Sequence, residues 1–279
     1  MSRVSAPMTR RFALCADDFG LTAPISEGIA ALAHQGRLNL ISCMSTPASW
    51  LPHAALLRDL PASVETGLHV NLSEGEPGSA ALRQHWARFP SLPQLIGAAH
   101  LGRLPLAAIA QECDWQWQRH VDATGRAPTF VDGHQHVHHL PGVRDVIVQL
   151  ARQHGLRVRN TARVLGPGYT VKRWLIAHTG GVVLQGLLRR HGIAHNHSLL
   201  GVYDFQQPDV RALMQGWLRR MPDQGGLVFC HPAAPGAADG IGPARQREAA
   251  YLASAAFAED LQAAGFSLGS PWTESSSGC

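Results

Sequence analysis

Phe130-Val131-Asp132-Gly133-His134-Gln135-His136-Val137-His138-His139 is the stretch on which the reading of this chain turns. An apolar pair runs into an aspartate and then four histidines. If the run is extended, side chains alternate between faces, and Asp132, His134, His136 and His138 fall on one side. A row of imidazoles beside a carboxylate can hold a divalent metal, because neutral imidazole is the commonest protein ligand and a carboxylate can orient its ring. Alone, a short histidine-rich tract is only a compositional hint, and a solvated turn accounts for it more simply. The segments around it change that balance.

Upstream, Phe12-Ala13-Leu14-Cys15-Ala16 reads as a buried strand ending at Asp17-Asp18-Phe19-Gly20. A helix follows, capped by Thr22 or Ser26 and closed by Gly36. Leu38 to Met44 predicts a second strand, Pro47 to Leu60 a helix stopped by Pro61, and Val64 to Leu72 a third strand. Leu106 to Ala123 predicts an amphipathic helix with Ile109, Cys113, Trp117 and His120 on one side and with Trp115 and Trp117 as packing residues. Phe130-Val131 opens the fourth strand. Beyond the histidine row come a helix from Pro141 to His154 and a fifth strand over Leu156 to Arg159. A helix from Val171 to Leu188 is interrupted at Gly180-Gly181, and Ser198 to Val202 reads as a strand. A helix over Val210 to Arg220 precedes a strand, Leu227 to Cys230, that ends at His231-Pro232. One long helix, Arg245 to Ala264, and a short strand, Phe266 to Leu268, complete the pattern. His191, His195 and His197 read as surface residues.

Short apolar strands alternating with helices imply a parallel sheet. Seven or eight such units predict an α/β chain folded as one (β/α) barrel, closed or else distorted and seven-stranded, with its site at the carboxyl ends of the strands. The expected division is a flexible N-terminus at 1–10, a single barrel domain at 11–272 with a loop-rich insertion at about 73–104, and a disordered tail at 273–279.

The chain of 279 residues is 45% hydrophobic and 16% charged, enough apolar material for a sizeable core and too little charge for a disordered chain. The net charge of +4 comes from scattered arginines. No basic run carries interleaved aromatics, which argues against nucleic-acid binding. No window approaches the apolar length of a membrane span. Five cysteines without paired spacing, and no signal-peptide pattern, lead us to expect a cytoplasmic protein.

Asp18, His69 and His134 come from the ends of three separate strands. Together they make a three-ligand set with a position left for water, the pattern of a hydrolytic metal centre. Such donors suit Zn, Mn, Co or Fe, whereas Mg normally takes more oxygen. Each residue also has a plainer reading, Asp18 as a helix cap and His69 as a hydrogen-bonded core histidine. Two adjacent carboxylates repel unless something positive is near. With Asp18 on a metal, Asp17 is free to take a proton from water; otherwise it caps the next helix. His231 is placed to protonate a departing amine, or to hold a turn. Asp132 is the expected orienting partner of His134. Arg159 either holds an anionic or hydroxylated substrate group or pairs with a carboxylate. His136 and Asn71 are the remaining candidates for supporting the ligands or touching substrate.

Three blocks carry a resemblance: Ala16-Asp17-Asp18-Phe19-Gly20, Gly67-Leu68-His69-Val70-Asn71-Leu72-Ser73-Glu74-Gly75, and Pro128 to His138. Together and in this order they resemble the YdjC-like carbohydrate deacetylases, which include chitooligosaccharide and hopanoid-associated deacetylases. The resemblance runs from about residue 11 to about residue 235. It implies a barrel-like fold and metal-dependent removal of an N-acetyl group from an amino sugar. By position Asp17 matches the family's proton acceptor. Asp18, His69 and His134 match the ligands of one divalent metal ion, usually magnesium. His231-Pro232 matches a late His-Pro-Gly block, with Ala233 in place of the glycine, and a homodimer is implied. The substrate expected is an N-acetylated sugar, free, lipid-linked or nucleotide-linked. The alternative is a metal hydrolase of another bond, a phosphoester or cyclic amide. A phosphoesterase would carry a second ion, for which His136 and His138 could supply ligands.

Overall fold

A computed structural model of the chain describes residues 10–273. The terminal segments expected to lack structure lie outside it except for their inner ends: Arg10 and Thr273 each belong to a strand. Residues 10–83 hold β1 (Arg10–Phe19), α1 (Ala23–His34), β2 (Leu40–Cys43), α2 (Trp50–Ala54), β3 (Glu65–Val70) and α3 (Ala80–Arg83). There follow α4 (Leu92–His100), α5 (Leu106–Thr124), β4 (Phe130–Gly133), α6 (Val143–His154), β5 (Arg157–Val158), α7 (Thr170–Ile176) and α8 (Val182–Arg190). The last part contains β6 (His195–Asn196), β7 (Leu199–Leu200), α9 (Val210–Leu218), β8 (Leu227–Cys230), α10 (Gly242–Ala253), α11 (Ala255–Ala264), β9 (Phe266–Leu268) and β10 (Trp272–Thr273).

The strands form one curled sheet in the order β10-β6-β5-β4-β3-β2-β1-β8-β7, with β9 also on β1. Every pairing but β10–β6 is parallel. The end strands β10 and β7 do not pair with each other, so this is the distorted, open form of the expected barrel.

Alternation along each strand sorts its side chains between two destinations. Phe12, Leu14 and Ala16 of β1, Ile41 of β2 and Val228 of β8 pack outward under α1, α9, α10 and α11. Leu68, Val70, Val131 and Val158 pack outward under α5, α6 and α8. The other parity faces the interior: Ala13, Cys15, Leu40, Phe130, Leu227 and Phe229 fill its lower part. Gly67 lies opposite the Phe130 ring, which a Cβ there would meet at 2.3 Å. Continued upward, the same parity reaches Asp17, Ser42, His69, Asp132, Arg159 and His231. A layer of polar residues therefore sits on an apolar floor, at the carboxyl ends of the strands.

Several local expectations are corrected. The helix expected from Pro47 to Leu60 is α2 plus one 3-10 turn, Ala55–Leu57. The last long helix is broken at Ser254, whose extended backbone separates α10 from α11. The loop-rich span contains α3 and α4, which bury Leu82, Leu95 and Ala99 against the α5 side. Trp115 and Trp117 are packing residues as expected: Trp115 covers Gly78 and Trp117 stacks on His154.

His120, on the buried face of α5, stacks on Trp50 with ring centroids 5.3 Å apart, and neither of its ring nitrogens has a partner. Burial pushes its pKa from 6.5 down to about 4. Between those values the unfolded chain binds a proton that the folded chain refuses. Stability is therefore intact above the unfolded value and is lost as pH falls toward the folded one, by about 3 kcal/mol. Urea unfolding at pH 7 and pH 4.5 should show a pH-dependent gap about 2 kcal/mol smaller in His120→Leu than in the parent. An unchanged gap would place the acid lability elsewhere.

Candidate metal centre

Asp17 follows the inward parity of Ala13 and Cys15, so Asp18 should face outward. It does not. The β1–β2 register shifts between Ala16 and Phe19, and Asp18 adopts φ +70°, a left-handed conformation costly for a residue with a Cβ. The irregularity turns Asp18 inward, and both neighbouring carboxylates border one pocket. Gly20 makes the turn possible; at φ +95° its missing Cβ leaves room for the Met44 carbonyl.

Asp18 Oδ1 is the hub. It lies 2.9 Å from His134 Nδ1 and 3.4 Å from His69 Nε2, and one donor atom from each of the three residues falls within 4.8 Å of the others. The outer nitrogen of each ring rests on a second carboxylate. His69 Nδ1 is 2.6 Å from Asp132 Oδ1, and His134 Nε2 is 3.0 Å from Glu74 Oε2. Asp132 therefore orients His69 and not, as expected, His134. That task falls to Glu74, a residue that sequence reasoning missed. Arg245 Nη2 reaches Asp18 Oδ2 at 2.7 Å, and the Ser42 hydroxyl donates to Asp132.

The donor set fits a divalent cation. Burial alone would raise the Asp18 carboxyl, yet His134 and His69 hold it well below the usual carboxylate range. Burial likewise opposes a charge on His69, but Asp132 and its hydrogen bond lift that imidazole to about 10. Carboxylates at this spacing demand positive charge, and protons on the imidazoles meet that demand; a divalent cation would meet it in their place. Asp18, His69 and His134 would hold it, each histidine steadied by the carboxylate behind it.

Arg159 is fully buried. It clasps Asp17 with both terminal nitrogens, at 2.7 and 2.6 Å, and reaches Asp132 Oδ2 at 2.6 Å. Of its two expected roles, pairing with carboxylates is the one observed; no part of it reaches solvent. The guanidinium lies among Cys15, Asp17 and Asp132, a second group with ligand-like spacing, and meets the charge there. Asn71 braces the turn that carries Glu74. Its Oδ1 accepts from the backbone N–H of Ser73 and Glu74, and its Nδ2 donates to the Glu74 carbonyl.

His136 departs from the expected row. The strand stops at Gly133, and His134–His139 winds into 3-10 turns with Gln135 and His136 left-handed. His136 thus turns against Phe229 and His139, while His138 Nε2 bonds the Arg159 carbonyl. His231 faces the pocket from the end of β8, between Phe205 and Phe229. Burial drives its pKa down to about 4. Glu248 accepts its backbone N–H and the Tyr203 hydroxyl, holding the loop. Ala233 fits that loop against Gly28, whose own Cβ would strike the Ala233–Ala234 backbone. His195 is buried in β6, against the surface reading, whereas His191 is exposed and His197 half-buried.

These groups open into a cavity of about 550 Å³. Glu74 lies inside the second of the three sequence blocks, the signal by which it could have been found. Ser42 was recoverable by counting alternate residues from Leu40. Nothing local marks Arg245, one arginine of a helix far along the chain.

The YdjC-like protein family matches residues 11–263. Carbohydrate deacetylases of Homo sapiens and Mus musculus are 35% and 31% identical over 69% of this chain and 63% and 66% of their own length. A chitooligosaccharide deacetylase of Enterobacter is 36% identical over 52% of this chain and 56% of its own. The chain thus spans about two thirds or less of these relatives. Among solved structures, an Enterococcus faecalis protein proposed to cleave cellobiose phosphate shares the fold. Its TM-score is 0.72 at 19% identity, over 94% of this chain and 97% of that one.

Proposed function

This chain belongs to the YdjC-like protein family, and from that premise we propose that it is a metal-dependent hydrolase that removes the N-acetyl group of an amino sugar and releases acetate. One observation carries the reading: Asp18, His69 and His134 converge on a single point while the adjacent Asp17 stays off that set and borders the same cavity. The names of the curated relatives support it.

A divalent ion held there would polarise the amide carbonyl and make a nearby water more acidic. Zinc, manganese or cobalt suits one carboxylate and two imidazoles better than the magnesium the family resemblance implies. Asp17, oriented by Arg159, takes a proton from the attacking water. His231, with its pKa near 4, enters the reaction neutral. It can act as an acid only by first receiving a proton during the reaction, so its role is to relay the proton from Asp17 to the departing amine. We propose the cytoplasm as the place of the reaction; Cys15, Cys43, Cys113 and Cys230 are buried free thiols, which a reducing compartment would preserve.

The phosphoesterase alternative needs a second ion. His138 is spent on the Arg159 carbonyl, and the Cys15–Asp17–Asp132 group is spent on the guanidinium, which weighs against it. The test is an acetate-release screen over N-acetylated sugars with metal counted per chain. Release should stop with chelator, return with added divalent ion, and accompany one ion per chain. Chelator-insensitive release, or two ions with phosphoester cleavage, would overturn the reading.

A further inference from the structure

The span from Thr170 to Arg190 runs through α7, a π-helical turn at Ala177–Gly181, and α8. One side of this arm walls the cavity through Leu175, Ile176 and Thr179. Another side is open. Val171, Trp174 and Leu175 stand at i, i+3 and i+4 on α7, a spacing that puts them on one face, and Val182 and Val183 open α8. Each is at least 48% exposed, and α7 has no buried residue. More than half of the large apolar side chains exposed among the described residues fall in this short span. Trp174 stacks flat on His178 one turn later, with centroids 4.6 Å apart, which lays the indole along the surface. Leu175 belongs both to the open face and to the cavity wall, so the face runs up to the cavity mouth.

Charge decides what covers this face. There is no Asp or Glu between Asp145 and Asp204, whereas the arm carries Lys172, Arg173, Arg189 and Arg190. Lys172 is turned onto the Tyr203 carbonyl; Arg189 and Arg190 are exposed. A second copy docked through the same arm about a two-fold axis would bring both sets of cations into one interface, with no acid of either arm to pair them. Asp204 lies close enough to act on Lys172, but the arm itself carries four cations and no acid, and an apolar face with a tryptophan on such a segment suits an anionic headgroup layer.

The geometry points to the α7–α8 arm as a surface that docks on an anionic lipid bilayer and brings the cavity mouth against it. No helix among the described residues is long and apolar enough to cross a membrane, so the contact is peripheral. A consequence, resting on the deacetylase reading, is that the amino sugar offered to the cavity is carried on a lipid anchor that stays in the bilayer.

The full chain is floated with vesicles of phosphatidylcholine alone and of phosphatidylcholine mixed with phosphatidylglycerol, at low and high salt. Binding should appear with the mixed vesicles only and weaken with salt. The pair Val171→Ser and Trp174→Ser should weaken it about tenfold or more. Arg189→Glu with Arg190→Glu should cost at least about fivefold per residue. Circular dichroism checks that each variant is folded, and both variants should hydrolyse a soluble N-acetylated sugar at the parent rate. No binding, or equal binding to both vesicle types, overturns the proposal. So does a concentration-dependent dimer that Trp174→Ser dissolves, since the face is then a self-contact. If vesicles are bound but no N-acetylated sugar is hydrolysed, the docking stands and the deacetylase reading fails. If soluble sugar is turned over without vesicle binding, the docking fails and the deacetylase reading stands.

Discussion

Asp17→Asn should lower acetate release by roughly a thousandfold while metal affinity stays unchanged. The amide has the shape of the carboxylate and leaves Arg159 one oxygen to hold, so the site should keep its form. What it lacks is an oxygen able to take the proton of the attacking water. Asp17 borders the cavity but is not in the set that converges on Asp18 Oδ1. Calorimetric titration with a divalent ion, run beside turnover, separates the two roles. Near-normal turnover would remove Asp17 as the base, and lost metal affinity would make it a ligand.

Arg159→Met is expected to destabilise the fold by about 3–5 kcal/mol. Burial opposes charge on this guanidinium, yet Asp132 and Asp17 hold it firmly protonated. It lies between two carboxylates that are themselves almost fully buried. Methionine fills much of the space but leaves Asp17 without its cation and Asp132 with His69 as its remaining counter-charge, in a poorly solvated interior. The loss comes from the uncompensated charges and not from missing volume. Arg159→Met combined with Asp17→Asn and Asp132→Asn should therefore recover a good part of it. Urea unfolding of the single and triple variants reads this directly. A single variant within about 1 kcal/mol of the parent, or a triple variant no better than the single, would mean that the pairing is not what stabilises the layer.

Short apolar runs alternating with helical stretches are local patterns, and they placed most of the architecture. From them follow the parallel strands and the positions of Asp17, His69, His134 and His231 at or near strand ends. The break at Gly180-Gly181 was legible because glycine is a poor helix former. A Cβ at these positions would meet the His139 carbonyl and Thr161, and the helix bulges into a π turn there. Alternation failed wherever the backbone left the strand. His136 leaves the expected row because the chain curls into 3-10 turns there, and the burial of His195 leaves no mark in the sequence because a two-residue strand carries almost no pattern.

The chain's own order of residues was thus sufficient for the open, barrel-like sheet and for singling out Asp18, His69 and His134, which converge. It was not sufficient for the charges around them. Asp18 turns inward only because β1 and β2 slip out of register beside it. Arg245 reaches Asp18 from 227 positions away, and each histidine leans on a carboxylate from another segment. Such choices depend on distances between parts of the chain that share no local pattern, and only packing the segments together brings those charges within a few ångströms.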